Sequence, residues 1–123
     1  MRAVQINAPA VVRGYLRTVI EGIAFRSSLP GDWSPASGMT ATVVGDGTSV
    51  SDRGWTRENV RVSVRGSVEP EVRRVAALCD AVLLEPGAVP GVSVVPGAGM
   101  IVTADDEFGG FIASVTVRVA ATR

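Results

Sequence analysis

The chain contains no histidine, no lysine and only one cysteine. Without histidine it lacks the commonest proton carrier of enzymes, which rules out every Ser-His-Asp or Cys-His arrangement. Cys79 has no second cysteine in the chain to pair with, and it falls on an apolar helical stripe, so it reads as a small core residue rather than a nucleophile. Aromatic residues make up 5% of the chain, and twelve cations balance twelve acids to a net charge of zero. This balance argues against a general nucleic-acid binder, which carries a strong basic excess. It favours self-association, because identical copies do not repel one another. No apolar run approaches the roughly 18 residues of a membrane span. The opening MRAVQINAP lacks the hydrophobic region of a signal peptide. The expected location is therefore a cytoplasm, unless the protein leaves inside a larger particle. CxxC, HExxH and P-loop spacings are absent, and GDG at 45–47 and GAG at 97–99 read as turns. No cofactor is implied.

What is present is a 46% hydrophobic chain of 123 residues, enough for a single domain across residues 1–123 with one core. All the cations are arginine, the cation better suited to interfaces and ion pairs. The clearest stretch runs from Glu58 to Glu85. Val60, Val62 and Val64 alternate with Arg61, Ser63 and Arg65, the period-two signature of a strand with one apolar face. Val72, Val75, Ala76, Cys79, Val82 and Leu83 then form a single stripe at helical period. Pro70 suits the first helical turn, Glu69 and Glu71 complement the helix dipole, and Pro86-Gly87 ends the helix. On its outer side, Arg73, Arg74, Ala77, Ala81 and Leu84 make a smooth surface that faces either solvent or a neighbouring subunit.

Upstream, Val12, Tyr15, Leu16, Val19, Ile20 and Ile23 predict a helix from Ala8 to about Phe25, with Asn7 as N-cap. Residues 26–38 read as a Pro/Gly/Ser loop, 39–44 as a short strand and 45–58 as a long loop. Downstream, 92–95, 100–104 and 111–120 read as strands. The predicted order is α-β-β-α-β-β-β. That is an α+β two-layer sandwich, with both helices packed on one face of a mostly antiparallel sheet and Arg61, Arg65 and Arg118 on the other.

The candidate contact residues lie in the loops. Trp55 stands between Arg53 and Arg57 in a loop long enough to suggest a function, and Trp33 sits in the other long loop. Each tryptophan must either fold back on its own core or pack against a partner, and Trp and Arg dominate interface hot spots. Asp105, Asp106 and Glu107 offer counter-charges to a neighbour's loop arginines. As a metal site the run is poor, because three consecutive residues cannot all reach one ion, and it reads as a solvated hairpin tip.

Taken in order, these segments resemble the tail-terminator proteins of long-tailed bacteriophages, also called minor tail or tail-completion proteins. The likeness covers roughly residues 8–120. It rests on the amphipathic APAVVRGYLRTVIEGI, the strand MTATVV, VRVSVRGSVEPEVRRVAALCDAVLL passing from strand into helix, and DDEFGGFIASVTVRVAA at the end. The resemblance implies a non-enzymatic virion protein. Copies would form a ring, typically a hexamer, that caps the tail tube, stops its growth and meets the head's connector or stopper protein, while double-stranded DNA passes through the lumen without specific recognition. It implies a place in the virion's tail-neck region, after assembly in host cytoplasm, with no membrane partner. A neighbouring neck component, or a small ligand-binding or regulatory α+β domain, remains open as an alternative.

Overall fold

The structure is a computed structural model and describes residues 7–45, 50–52 and 55–122. Two long strands form its axis. β4 (Trp55–Gly66) and β7 (Phe111–Thr122) pair antiparallel over their whole length, from Trp55 opposite Thr122 to Gly66 opposite Phe111. The alternation read in the sequence decides which residues face inward. Val60, Val62 and Val64 lie opposite Val117, Val115 and Ala113, and all six are buried on one face.

Shorter strands flank this pair. β2 (Thr40–Gly45) and β3 (Val50–Asp52) share the free edge of β4, and β1 (Ala24–Arg26) adds to β2 in parallel. β5 (Ser93–Pro96) and β6 (Ile101–Ala104) share the free edge of β7. Between them residues 97–100 stand opposite only Val115 and Thr116, so the chain bulges outward there. Gly97 starts the bulge because its N–H bonds Thr116 O at 3.0 Å, and a Cβ there would lie 2.6 Å from the same oxygen.

Both helices cover one sheet face, as the single-faced stripes require. α2 (Glu69–Leu84) lies over β4 and β7 and buries Val72, Val75, Ala76, Cys79 and Leu83, with Val82 half-buried. α1 (Ala8–Val19) lies over β1 and β2 and buries Ala8, Val12 and Leu16. Asn7 caps α1, its Oδ1 accepting the Ala10 N–H at 3.2 Å. The fold is therefore α+β, two-layer and mostly antiparallel.

The element order differs from the sequence reading in three places. α1 stops at Val19 rather than near Phe25: Ile20 is extended, Gly22 takes φ +83°, and the chain turns back into β1, where Phe25 is buried. Ile20 and Phe25 thus enter the core from outside the helix, while Val19 is 44% exposed. Arg17 secures this reversal, donating from Nε and Nη2 to Phe25 O at 3.0 and 2.7 Å. Secondly, the segment 45–58, read as a loop, carries β3 and the start of β4. The third difference is a 3₁₀ turn at Pro35–Ser37 inside the Pro/Gly/Ser loop.

Burial pushes the Cys79 thiol up to about 12, with the neighbouring Asp80 adding to the rise and a backbone hydrogen bond opposing both. A thiol-specific disulfide reagent at pH 8 should therefore label Cys79 only at the rate of global unfolding; fast labelling of the native protein would contradict this placement. The buried face of α1 is also testable. Leu16→Ala should lower the free energy of urea unfolding by about 2–5 kcal/mol, whereas Val19→Ala should change it by less than about 0.5 kcal/mol. Equal losses at the two positions would mean that Val19 is packed in the core as Leu16 is, against its exposed placement.

Candidate interaction surface

The helices leave the second face of the sheet uncovered. Register places Arg57, Asn59, Arg61, Ser63 and Arg65 of β4 on it, beside Ile112, Ser114, Thr116, Arg118 and Ala120 of β7. Thr42 and Val44 of β2, Arg26 of β1, Val95 of β5, and Ile101 and Thr103 of β6 extend it. Among the strand side chains described on this face, every charged one belongs to arginine. Near its middle, the Ser63 and Ser114 hydroxyls hydrogen-bond across the strands at 2.9 Å. The bulge arches over Arg61, Ile112, Ser114 and Thr116 to form a cleft of about 290 Å³.

One end of this face is closed by the two loops that hold most of the candidate residues. Asp105 is buried, and its Oδ2 accepts from Arg65 Nη1 at 2.6 Å. Its Oδ1 accepts the N–H groups of Glu107 and Phe108 at 3.1 and 3.2 Å. The backbone closes the same turn, with Asp105 N–H donating to Gly110 O and Gly109 N–H to Asp105 O, both at 2.9 Å. Gly109 and Gly110 have φ +83° and +74°, and a Cβ on Gly110 would collide with Gly66 O. The Phe108 ring lies under the Arg65 guanidinium, 5.4 Å from Cζ to centroid. Trp33 meets Phe108 edge-on at 5.7 Å and donates its indole N–H to Gly38 O at 3.2 Å.

This arrangement takes two of the seven candidate residues into contacts within their own chain. Trp33 folds back on its own chain and is buried there. Asp105 is engaged by Arg65 of its own chain, which leaves Asp106 and Glu107 as the exposed acids of that loop. Arg57 sits on the uncovered face opposite Ala120, half-buried and engaged in interactions of its own. Trp55 opens β4, but its side chain lies outside the described residues, as does all of Arg53. The structure thus does not gather the seven into one site. It brings Trp33 and Asp105 together through Phe108 and Arg65, two residues the sequence reading did not single out as contacts. A signal for the turn was present, because an Asp carboxylate commonly accepts the backbone N–H groups two or three residues on, and here a Gly pair follows four residues after it.

Among the described residues, no group of three Cys, Asp or Glu side chains could hold a metal ion, and no helix is long and apolar enough to cross a membrane. What the geometry defines is an open-faced α+β sandwich with an arginine-bearing sheet surface. No protein-family model matches the chain, and no curated protein matches it.

The Asp105 carboxyl is acted on in both directions. Burial raises its pKa, but the Phe108 N–H, the Arg65 guanidinium and the Glu107 N–H outweigh this and hold it below the ordinary carboxylate value. A depressed carboxyl pKa stabilises the fold at pH above the unfolded value of about 3.9, and that stability is lost as pH falls through the folded value. Asp105→Asn should cost about 1.5–3 kcal/mol at pH 7 and flatten the acid limb of the stability curve. An unchanged acid limb in urea titrations between pH 2 and 7 would show that the pair is not linked to folding.

Proposed function

We propose that this chain is a non-enzymatic structural protein of a long-tailed bacteriophage. In this reading it is a tail terminator whose copies close into a ring, typically a hexamer, that caps the tail tube, ends its polymerisation and joins it to the head connector. The observation that carries the reading is the open sheet. A chain of zero net charge leaves most of a sheet face uncovered among its described residues, and its segments follow the order that resembles tail terminators. A surface of arginine mixed with aliphatic residues suits protein contacts, which are enriched in Arg and depleted in Lys. The proposed partners are further copies, the tube protein and the connector or stopper protein, with double-stranded DNA passing through the lumen. The proposed location is the neck of the virion, following assembly in host cytoplasm.

A second reading, as a small ligand-binding domain, draws on the cleft under the bulge. Its roughly 290 Å³ lies at the lower limit of ligand pockets, which makes it the weaker of the two.

The test is assembly. Negative-stain images of the purified protein should show rings, and adding it to polymerising tube protein of the same phage should arrest tube lengthening and leave capped ends. A protein that stays monomeric and leaves tube length unchanged would sink the reading. Rings that bind the connector but not the tube would instead mark a stopper or adaptor of the neck.

A further inference from the structure

The large hydrophobic side chains that remain exposed are divided between two opposite surfaces. Val44, Val95 and Ile101 project from the uncovered sheet face, with Ile101 62% exposed. Val19, Val68 and Leu78 lie on the helix layer. Apart from Asp106 and Glu107, exposed in the loop at one end of the sheet face, the charges divide in the same way. Arg26 and Arg118 are exposed on the sheet face with no ion-pair partner among the described residues. On the helix layer the exposed acids Glu21, Glu71 and Glu85 are likewise unpaired among the described residues, sharing that surface with Arg13 and Arg74, while Arg73 is taken up by Glu69 at 3.1 Å.

We infer that the uncovered sheet face of one copy packs against the outer surface of α2 of the next copy, a heterologous contact that places a second helix layer on the sheet. The inference rests on the ring-forming reading above and names the surfaces that meet. Size supports it. Five strands at about 4.8 Å spacing and some seven residues at about 3.4 Å give roughly 20 by 25 Å, or about 500 Å² of flat area. Side-chain relief brings this towards the ~800 Å² that each partner buries in a standard interface. Charge selects the orientation. Pairing the sheet face with itself would set arginine against arginine, whereas α2 presents Glu71 and Glu85 at either end of a smooth run containing Ala77, Leu78 and Ala81, all exposed. A heterologous contact whose repeated rotation closes makes a ring, which a sheet face paired with itself cannot do.

The experiment is sedimentation velocity on wild type, Ile101→Asp, Val95→Asp, Leu78→Asp and Arg118→Glu, with thermal melts to confirm that each variant folds. All four substitutions are at exposed positions. Wild type should associate at about 100 µM, and each variant should weaken association at least about tenfold. Arg118→Glu combined with Glu71→Arg and Glu85→Arg should regain most of the loss. If wild type forms rings and the sheet-face variants form them equally well, the contact lies elsewhere and this inference fails while the ring reading stands. If the sheet-face variants dissociate but Leu78→Asp does not, the face pairs with something other than α2, which also overturns it. A wild type that stays monomeric, but binds duplex DNA with salt-dependent affinity lost in Arg118→Glu, would assign the face to nucleic acid and remove both readings.

Discussion

The pairing of β4 with β7 constrains everything else in this molecule. Both strands alternate valine with polar residues, and side chains on a strand alternate strictly between faces. A one-residue slip would therefore carry every valine of one strand into solvent. Only the observed register puts Val60, Val62 and Val64 beside Val117, Val115 and Ala113. Every other strand then attaches to one of these two or to its neighbour: β2 and β3 along β4, β5 and β6 along β7, and β1 outside β2. With the valine face fixed, α1 and α2 have one surface on which to bury their stripes, and the core closes there.

The same constraint creates the uncovered face. Positions that alternate with the core valines carry mostly Arg, Ser, Asn and Thr, and among the described residues no third layer covers them. One end of that face is closed internally. There the Arg65–Asp105 pair, Phe108 and Trp33 tie two loops to the end of β4, and glycine at position 110 allows the backbones to approach. A buried carboxylate is tolerated because three donors converge on it. The pair therefore sets the loop geometry at least as much as it adds net stability.

The parts of the fold legible in the sequence were those with one long, unambiguous period. The stripe of α2, the alternation of β4 and β7 and the single-sided packing of the helices belong here. So does the placement of Arg61, Arg65 and Arg118 away from the helices. Short apolar segments were not legible. Ile20 and Ile23 continue a helical spacing, yet the chain leaves the helix at Ile20 and turns at Gly22; a single glycine is also tolerated within helices, so for so short a run the spacing misleads. β3 was hidden for a similar reason, since three residues are too few to show alternation, and their pairing with β4 is what makes them a strand.

By itself the sequence determined which elements are two-faced, which residues each would bury, and that histidine-dependent chemistry is excluded. All of these follow from residue identity and local spacing. Only the tertiary structure decided the partners. Trp33 could have faced a neighbour, but it meets Phe108, a residue far along the chain. Asp105 looked like part of a solvated acidic tip, but Arg65, from a strand forty positions earlier, turns it inward. Such contacts depend on where β4 and β7 bring distant loops, and the free energy of a buried ion pair or an aromatic edge depends on ångström-scale geometry that no spacing along the chain encodes.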